Sequence, residues 1–308
     1  MKIVFMGTPD FSVPILQSLI DEYDVVGVVC QPDKMVGRHQ ELQAPPIKEL
    51  ALKYHIPVFQ PIKIREDYEE ILKLNPDIII TCAYGQIIPK AILDFPRLGC
   101  INVHASLLPK LRGGAPIHKA LIDGYPKTGI TIMYMDVKMD NGDIISQRET
   151  MISDQDNLES LHNRLSIMGR DLLMETLPSI IEGTNTRLSQ NEEEVTFAYN
   201  IKREEEHIDF TKSSREVFNL IRGLSPIPSA NAMIFDQEMK ILDSKISALD
   251  YHGSCGEIVA ANKEGIFVKT GDGVILLTHI KPFGKKMMDA GSYVNGIGKD
   301  KLIGKVFQ

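Results

Sequence analysis

The chain has 308 residues, enough for two domains of ordinary size. It is 43% hydrophobic and 24% charged, the balance of a globular protein. Its formal net charge of −7 argues against a generally basic nucleic-acid binder but leaves room for a local basic patch. The four cysteines (Cys30, Cys82, Cys100, Cys255) share no CxxC spacing, so no metal site and no disulfide framework is expected, and a reducing, cytoplasmic location fits. The opening MKIVFMGTPDF has one Lys and a short apolar run, and does not read as a signal peptide. No apolar stretch approaches the ~18 residues of a membrane span, so no membrane partner is expected.

Residues 2–6 read as a buried strand and Gly7-Thr8-Pro9-Asp10 as its turn. Residues 13–20 have helical spacing, with Ser12 as candidate N-cap and Pro14 in the first turn. Residues 24–30 are a second strand, which makes a βαβ opening. Of a GxGxxG fingerprint only Gly7 is present, so a dinucleotide site is not supported. Residues 31–46 show no apolar period and read as a long loop with Lys34, Arg38 and His39 against Asp33 and Glu41, either a contact surface or a solvated loop. A helix is expected over 47–54, a short strand over 56–58, a helix over 67–74 and a core strand over 77–81. Residues 83–89 then form a strand-to-helix loop, followed by a short helix at 91–95 and a strand at 100–104.

A helix over 115–123 precedes an alternating strand at 129–134, a polar turn at 136–143 with an Asn141-Gly142 signal, and a returning strand at 144–150. Leu158, Leu161, Leu165, Met168, Leu172, Leu173 and Leu177 mark a long amphipathic helix over 158–181. Residues 183–194 are polar and turn-rich, and look like a boundary. A helix over 215–222 and five short strands (230–235, 239–247, 256–260, 265–269, 274–280) suggest a small OB-like β-barrel. The expected division is an α/β domain at 1–188, a linker at 189–204 and the barrel at 205–308. From residue 205 onward 13 basic residues balance 13 acidic ones, so the N-terminal part carries the whole negative charge. Six lysines stand between 281 and 308, among them Lys281, Lys285 and Lys286, against only Asp289 and Asp300. This basic tail is either a solubilising face or a phosphate-contacting surface.

Asn102 and His104 are two apart on an otherwise apolar strand, so both leave the same face, at the end where open α/β sheets bind ligands. An amide can donate to an oxyanion while an imidazole relays a proton beside it. A third group usually orients the imidazole. Asp136, Asp140 and Asp143 share one turn, and periodicity does not rank them. The loops at 83–89 and 106–109 could hold a planar ligand by main-chain hydrogen bonds. No GxSxG elbow is present, which suits acyl transfer without a covalent enzyme intermediate.

Asn102-x-His104 with Ser106-Leu107-Leu108-Pro109, and Asp140 36 residues past the histidine, resembles the formyltransferases that use 10-formyltetrahydrofolate. Met6-Gly7-Thr8-Pro9-Asp10-Phe11, Gln31-Pro32-Asp33, Ala83-Tyr84-Gly85-Gln86, Arg112-Gly113-Gly114-Ala115-Pro116-Ile117, residues 128–133 and Gly284-Lys285-Lys286 extend the resemblance over nearly the whole chain, toward members that formylate methionine on the initiator tRNA. The resemblance implies a Rossmann-like formyltransferase domain with a mostly parallel sheet, then an OB-like C-terminal domain. It implies a monomer with no metal, 10-formyltetrahydrofolate as co-substrate and initiator methionyl-tRNA as partner. Asn102, His104 and Asp140 are the implied catalytic residues. Tyr84, Gly85, Gln86, Ile87, Ser106, Leu107, Leu108 and Pro109 are the implied folate wall. Arg38, Lys281, Lys285 and Lys286 are the implied tRNA contacts. Two segments depart from the family pattern: Gly37-Arg38-His39-Gln40-Glu41 replaces Gly-Arg-Gly-Lys-Lys, and Ser225-Pro226-Ile227-Pro228-Ser229-Ala230 lacks the usual Trp. The alternative within the superfamily is a formyltransferase acting on an amino-sugar nucleotide.

Overall fold

The computed structural model describes residues 1–36 and 40–308. Contacts divide the chain into two units, neither continuous in sequence. The first is Met1–Pro116, Lys127–Met151 and His162–Tyr199; the second is Ile117–Pro126, Ile152–Leu161 and Asn200–Gln308.

The chain runs β1 (Lys2–Gly7), α1 (Val13–Glu22), β2 (Asp24–Val29), β3 (Lys34–Val36), β4 (Glu41–Gln43), α2 (Pro46–Lys53), β5 (Val58–Phe59), α3 (Glu69–Leu72), β6 (Ile78–Cys82), α4 (Lys90–Leu93) and β7 (Cys100–His104). It continues through α5 (Pro116–Ile122), β8 (Lys127–Tyr134), β9 (Ile144–Met151) and α6 (Leu158–Glu182). Seven strands form one sheet in the order β5-β2-β1-β6-β7-β8-β9. From β5 to β7 neighbours are parallel; β8 and β9 turn back antiparallel. Ile3, Val4, Phe5 and Met6 of β1 and Ile78, Ile79 and Ile80 of β6 have no exposed surface. Runs apolar on both faces belong in the middle of a covered sheet, and that is where they lie.

The sheet is a mostly parallel, Rossmann-like α/β arrangement, and its strand order reverses at β1, between β2 and β6. The ends of β1, β6 and β7 are drawn level there: Gly7 pairs with Cys82, and Thr81 with Asn102. A Cβ on Gly7 would stand 2.9 Å from the Cys82 carbonyl oxygen, so this turn requires glycine. Ser12 does not cap α1; its hydroxyl donates to that same carbonyl at 2.7 Å. The expected loop at 31–46 holds a hairpin: β3 pairs antiparallel with β4, Met35 opposite Leu42. Each strand has three residues, too few for alternation to show in sequence. Arg38, expected to contact tRNA, lies outside the described residues together with Gly37 and His39.

The second unit contains α7 (Ser214–Leu224), β10 (Ala230–Ile234), β11 (Gln237–Ser247), β12 (Ile258–Asn262), β13 (Gly265–Lys269), β14 (Val274–Pro282), β15 (Met288–Asp289), α8 (Ala290–Ile297) and α9 (Lys299–Leu302). Its sheet is antiparallel, in the order β10-β11-β14-β13-β12, with β15 added on β14. The strand count makes it OB-like. Its core takes Val217, Phe218 and Ile221 from α7 and Ile241, Ile266, Val268, Ile275 and Leu277 from the sheet. The lysine-rich stretch after residue 281 is folded rather than a tail: Ala290, Val294, Leu302 and Phe307 enter the same core. Residues 117–126 and 152–161 belong here through Lys119–Glu205 (2.6 Å), Arg215–Asp154 (2.6 Å) and Arg222 Nη1 to the Ser153 carbonyl (2.7 Å).

Candidate active site

β7 carries Asn102 and His104 to the ligand edge of the sheet. The Thr81 hydroxyl, one strand over, lies 2.8 Å from Asn102 Oδ1 and donates to it. That contact occupies the amide oxygen and leaves the Nδ2 hydrogens to a ligand oxygen. His104 is buried, 6% exposed, and its Nε2 lies 3.0 Å from the Leu111 carbonyl oxygen. A carbonyl can only accept, so Nε2 carries the hydrogen and Nδ1 is the nitrogen left to take or release a proton. Nδ1 faces Asp140 Oδ2 at 3.8 Å. This is too long for a direct hydrogen bond and leaves the carboxylate facing the free ring nitrogen. The same Oδ2 accepts the Gly113 N–H at 2.8 Å.

Of the three aspartates left open by the sequence, the structure brings Asp140 to His104. Asp136 accepts its neighbour Val137 N–H, and Asp143 is taken by Arg187 (3.0 Å) and Ser189 (3.1 Å). Asp140 sits at φ 49° and Leu111 at φ 59°, so both loops that complete the site use left-handed backbone at a residue with a side chain.

The 106–109 stretch follows His104 and is held from β8 and β9. Thr131 Oγ1 donates to the Ser106 carbonyl (2.7 Å), and Gln147 Nε2 donates to the Leu108 carbonyl (2.9 Å). The Ser106 hydroxyl donates to the Lys110 carbonyl at 2.7 Å. Leu108 is buried in a small cluster with Met133 and Ile144, while Leu107 and Pro109 remain partly open. In the 84–87 loop, the Tyr84 ring is packed in the core and its carbonyl accepts from Thr8 (3.1 Å) and Gln31 (3.0 Å). Burial pushes the Tyr84 phenol above its ordinary range, and the neighbouring Cys30 raises it further. Gln86 braces the Ile64 N–H (2.8 Å) and the Pro61 carbonyl (3.2 Å); Gly85 turns the chain at φ 88°. Ile87 is 85% exposed and is the side chain this loop offers outward.

Three lysines named from sequence meet in the second unit. Lys281, Lys285 and Lys286 line a pocket of about 640 Å³ together with Lys240, Arg203, Pro226, Ile227 and Pro228. Arg203 is paired with Glu206 and Glu238. A second pocket of about 750 Å³ in the same unit mixes Asp154, Asp209, Arg215 and Arg222. Among the described residues no group of three or more His, Cys, Asp or Glu could hold a metal ion, and no helix is long and apolar enough to cross a membrane.

Thr81, Thr131 and Gln147 were not anticipated, and neither were Arg112, Gln190 and Thr196 as parts of the site. Arg112 is 4% exposed; its Nε donates to Gln190 Oε1 (3.0 Å) and its Nη2 to Glu192 (2.9 Å). That hydrogen bond holds the Glu192 carboxyl below its ordinary range. A buried arginine between two polar loops is a signal only once the fold is known.

A mostly parallel sheet with an amide and an imidazole at the end of β7 and a carboxylate brought to them from the β8–β9 turn defines an acyl-transfer type of enzyme site. The chain belongs to the formyl transferase family: the family profile described as "Formyl transferase" matches residues 1–177, and "Formyl transferase, C-terminal domain" matches 200–298. It is 49% identical over 307 residues to the methionyl-tRNA formyltransferase of Staphylococcus aureus strain MW2, covering 99% of this chain and 98% of that one. Solved structures share the fold. An N-formyltransferase from Helicobacter canadensis, in complex with folinic acid and dTDP-3-aminofucose, matches with TM-score 0.69 at 21% identity over 92% of this chain and all of that one. HypX from Aquifex aeolicus, in complex with tetrahydrofolic acid, matches with TM-score 0.68 at 16% identity over 96% of this chain and 47% of that one.

Proposed function

We propose that this formyltransferase moves the formyl group of 10-formyltetrahydrofolate to the α-amine of methionyl initiator tRNA, for translation initiation. The observation that carries the chemistry is the His104–Asp140 pair at 3.8 Å, with Nε2 already committed to the Leu111 carbonyl. The 49% identity to a full-length methionyl-tRNA formyltransferase supports the choice of acceptor. A neutral amine attacks the formyl carbon and a C–N bond forms. Asn102 Nδ2–H stabilises the resulting oxyanion. His104 Nδ1 and Asp140 receive the amine proton, which their separation leaves room to bridge. Collapse of the intermediate breaks the bond from the formyl carbon to folate nitrogen, and the same proton returns to that nitrogen as it leaves. The balance closes without metal or covalent enzyme intermediate.

Residues 84–87 and 106–109 wall the folate in this reading, by main chain and by Ile87 and Leu107 rather than by the Tyr84 ring. Residues 1–188 carry the chemistry, and 205–308 hold the tRNA through the Lys281, Lys285 and Lys286 pocket, with Arg38 as a second contact. The enzyme works in the cytoplasm as a monomer. The test is formyl transfer from 10-formyltetrahydrofolate to charged initiator tRNA, elongator Met-tRNA and a dTDP-amino sugar in parallel. Transfer to initiator tRNA above the other two is expected. Turnover of the amino sugar with none on Met-tRNA would replace this reading with the sugar-nucleotide one.

A further inference from the structure

The segment leaving the first unit, 187–198, runs across the site and is bonded to both loops that complete it. Gln190 Nε2 donates to the Asp140 and Gly142 carbonyls, each at 2.8 Å, and Gln190 Oε1 accepts Arg112 Nε at 3.0 Å. One side chain therefore ties the turn of Asp140 to the loop of Leu111 and Arg112. Six residues on, Thr196 Oγ1 accepts the Leu111 N–H at 2.9 Å, and the Thr196 carbonyl accepts the Arg112 N–H at 2.9 Å. Ala198 exchanges with Arg112 and Ala115: its N–H donates at 2.7 Å and its carbonyl accepts at 3.0 Å. Leu188 pairs with Ile144 on the far side of the Asp140 turn.

We propose that this segment is a positioning strap, and that Gln190 and Thr196 set the His104–Asp140 geometry although neither bonds to the imidazole or to the carboxylate. The inference rests on the reading of His104 and Asp140 as the proton-handling pair. Each loop is held in left-handed backbone at the residue that matters, Asp140 in one and Leu111 in the other. Such conformations persist where the surroundings over-determine them. Thr196 holds the N–H of Leu111, whose carbonyl fixes the His104 hydrogen on Nε2. Gln190 holds the carbonyl of Asp140, whose carboxylate faces Nδ1. Loosening either end moves one half of the pair, and a displacement of an ångström can cost a reaction about 10²-fold.

The experiment compares Gln190→Leu and Thr196→Val with Asn191→Ala. Asn191 lies on the same segment, and its side chain bonds to Glu193 and Glu194 rather than to either loop of the site. For formyl transfer to Met-tRNA, the first two are expected to lose 10- to 100-fold in kcat, with KM for both substrates within about threefold of wild type. Asn191→Ala is expected to stay within twofold. Gln190→Glu keeps the acceptor for Arg112 but not the donor for the carbonyls, and should fall with Gln190→Leu. An independent arm uses no substrate: ¹⁵N imidazole spectra in alkaline buffer, assigned against His104→Ala. Wild type should show His104 as a single tautomer with its hydrogen on Nε2, and Thr196→Val a mixture. Unchanged spectra together with unchanged kcat would overturn the strap. A wild type that formylates no Met-tRNA would overturn the functional reading alone, because the spectra still report on the strap.

Discussion

In the proposed mechanism His104 uses one nitrogen for structure and one for chemistry. With Nε2 fixed by the Leu111 carbonyl, His104→Ala removes both an anchor and the proton route, and kcat should fall by at least ~10². Asn102→Ala leaves the strand intact and removes one oxyanion donor, so a fall of about 10²–10³ in kcat is expected with little change in KM. Steady-state kinetics at saturating folate read both. The sulfur chemistry divides just as sharply. Cys82 and Cys100 are buried, and burial pushes each thiol up to about 12; burial also pushes Cys30 to about 11, with Lys48 opposing. Cys255 is exposed. A raised pKa leaves less thiolate, so a thiol reagent at neutral pH should modify one cysteine in the native protein and four after unfolding. The sign for stability follows. A thiol protonated in the fold and ionising near 9.0 when unfolded contributes stability below pH 9.0 that is lost as pH rises toward 11–12. Urea unfolding should show stability declining across that window; a flat profile to pH 11 would contradict the burial of these thiols.

At the scale of elements, the core strands were legible; the three-residue strands β3 and β4, the two-residue β15 and the strap were not. β1 and β6 declare themselves as unbroken apolar runs, and β7 as an apolar strand bearing two polar residues. α6 declares itself by leucines at helical spacing. The C-terminal helices were missed because Ala290, Val294 and Leu302 are separated by glycines and lysines that dilute any period. The strap was missed because hydrogen bonds hold it, and a run such as Gln190–Glu194 has the composition of a solvated linker. Only distance reveals that Gln190 and Arg112, 78 residues apart, meet. Asp140 was separable from Asp136 and Asp143 by resemblance, and its physical reason appears only with the fold. One glycine marks how closely the sheet supports the 106–109 stretch. A Cβ on Gly129 of β8 would stand 2.1 Å from the Arg148 carbonyl oxygen and 2.6 Å from Leu107 Cδ2. Gly129→Ala must push β8 from β9 and move Leu107. A loss of about 1–3 kcal/mol in unfolding free energy and a raised KM for folate are expected. A variant with wild-type melting temperature and folate KM would show that the sheet relaxes more freely than its packing implies.

At the scale of the molecule, an acidic chain presents a local basic pocket. Lys281, Lys285, Lys286 and Lys240 gather at one place in a protein of net charge −7. Phosphate contacts release counterions, so tRNA affinity should fall steeply with salt. Replacing Lys285 and Lys286 with Ala should flatten the slope of log affinity against log salt by about 2, and leave kcat at saturating tRNA unchanged. An unaltered slope would place the phosphates elsewhere. The strap has a consequence for how the enzyme comes into being. His104 and Asp140 are made early, but the residues that hold them, Gln190 and Thr196, are made fifty residues or more after Asp140. The geometry of the pair therefore closes late in synthesis, just before the last and longest segment of the second unit begins at Asn200. A nascent or proteolysed chain ending before residue 190 would contain Asn102, His104 and Asp140, the groups assigned to the reaction above, and still lack the frame that aligns them. The aligned pair and the long C-terminal segment of the second unit arrive almost together, so a half-made product with formylating activity is not on the path.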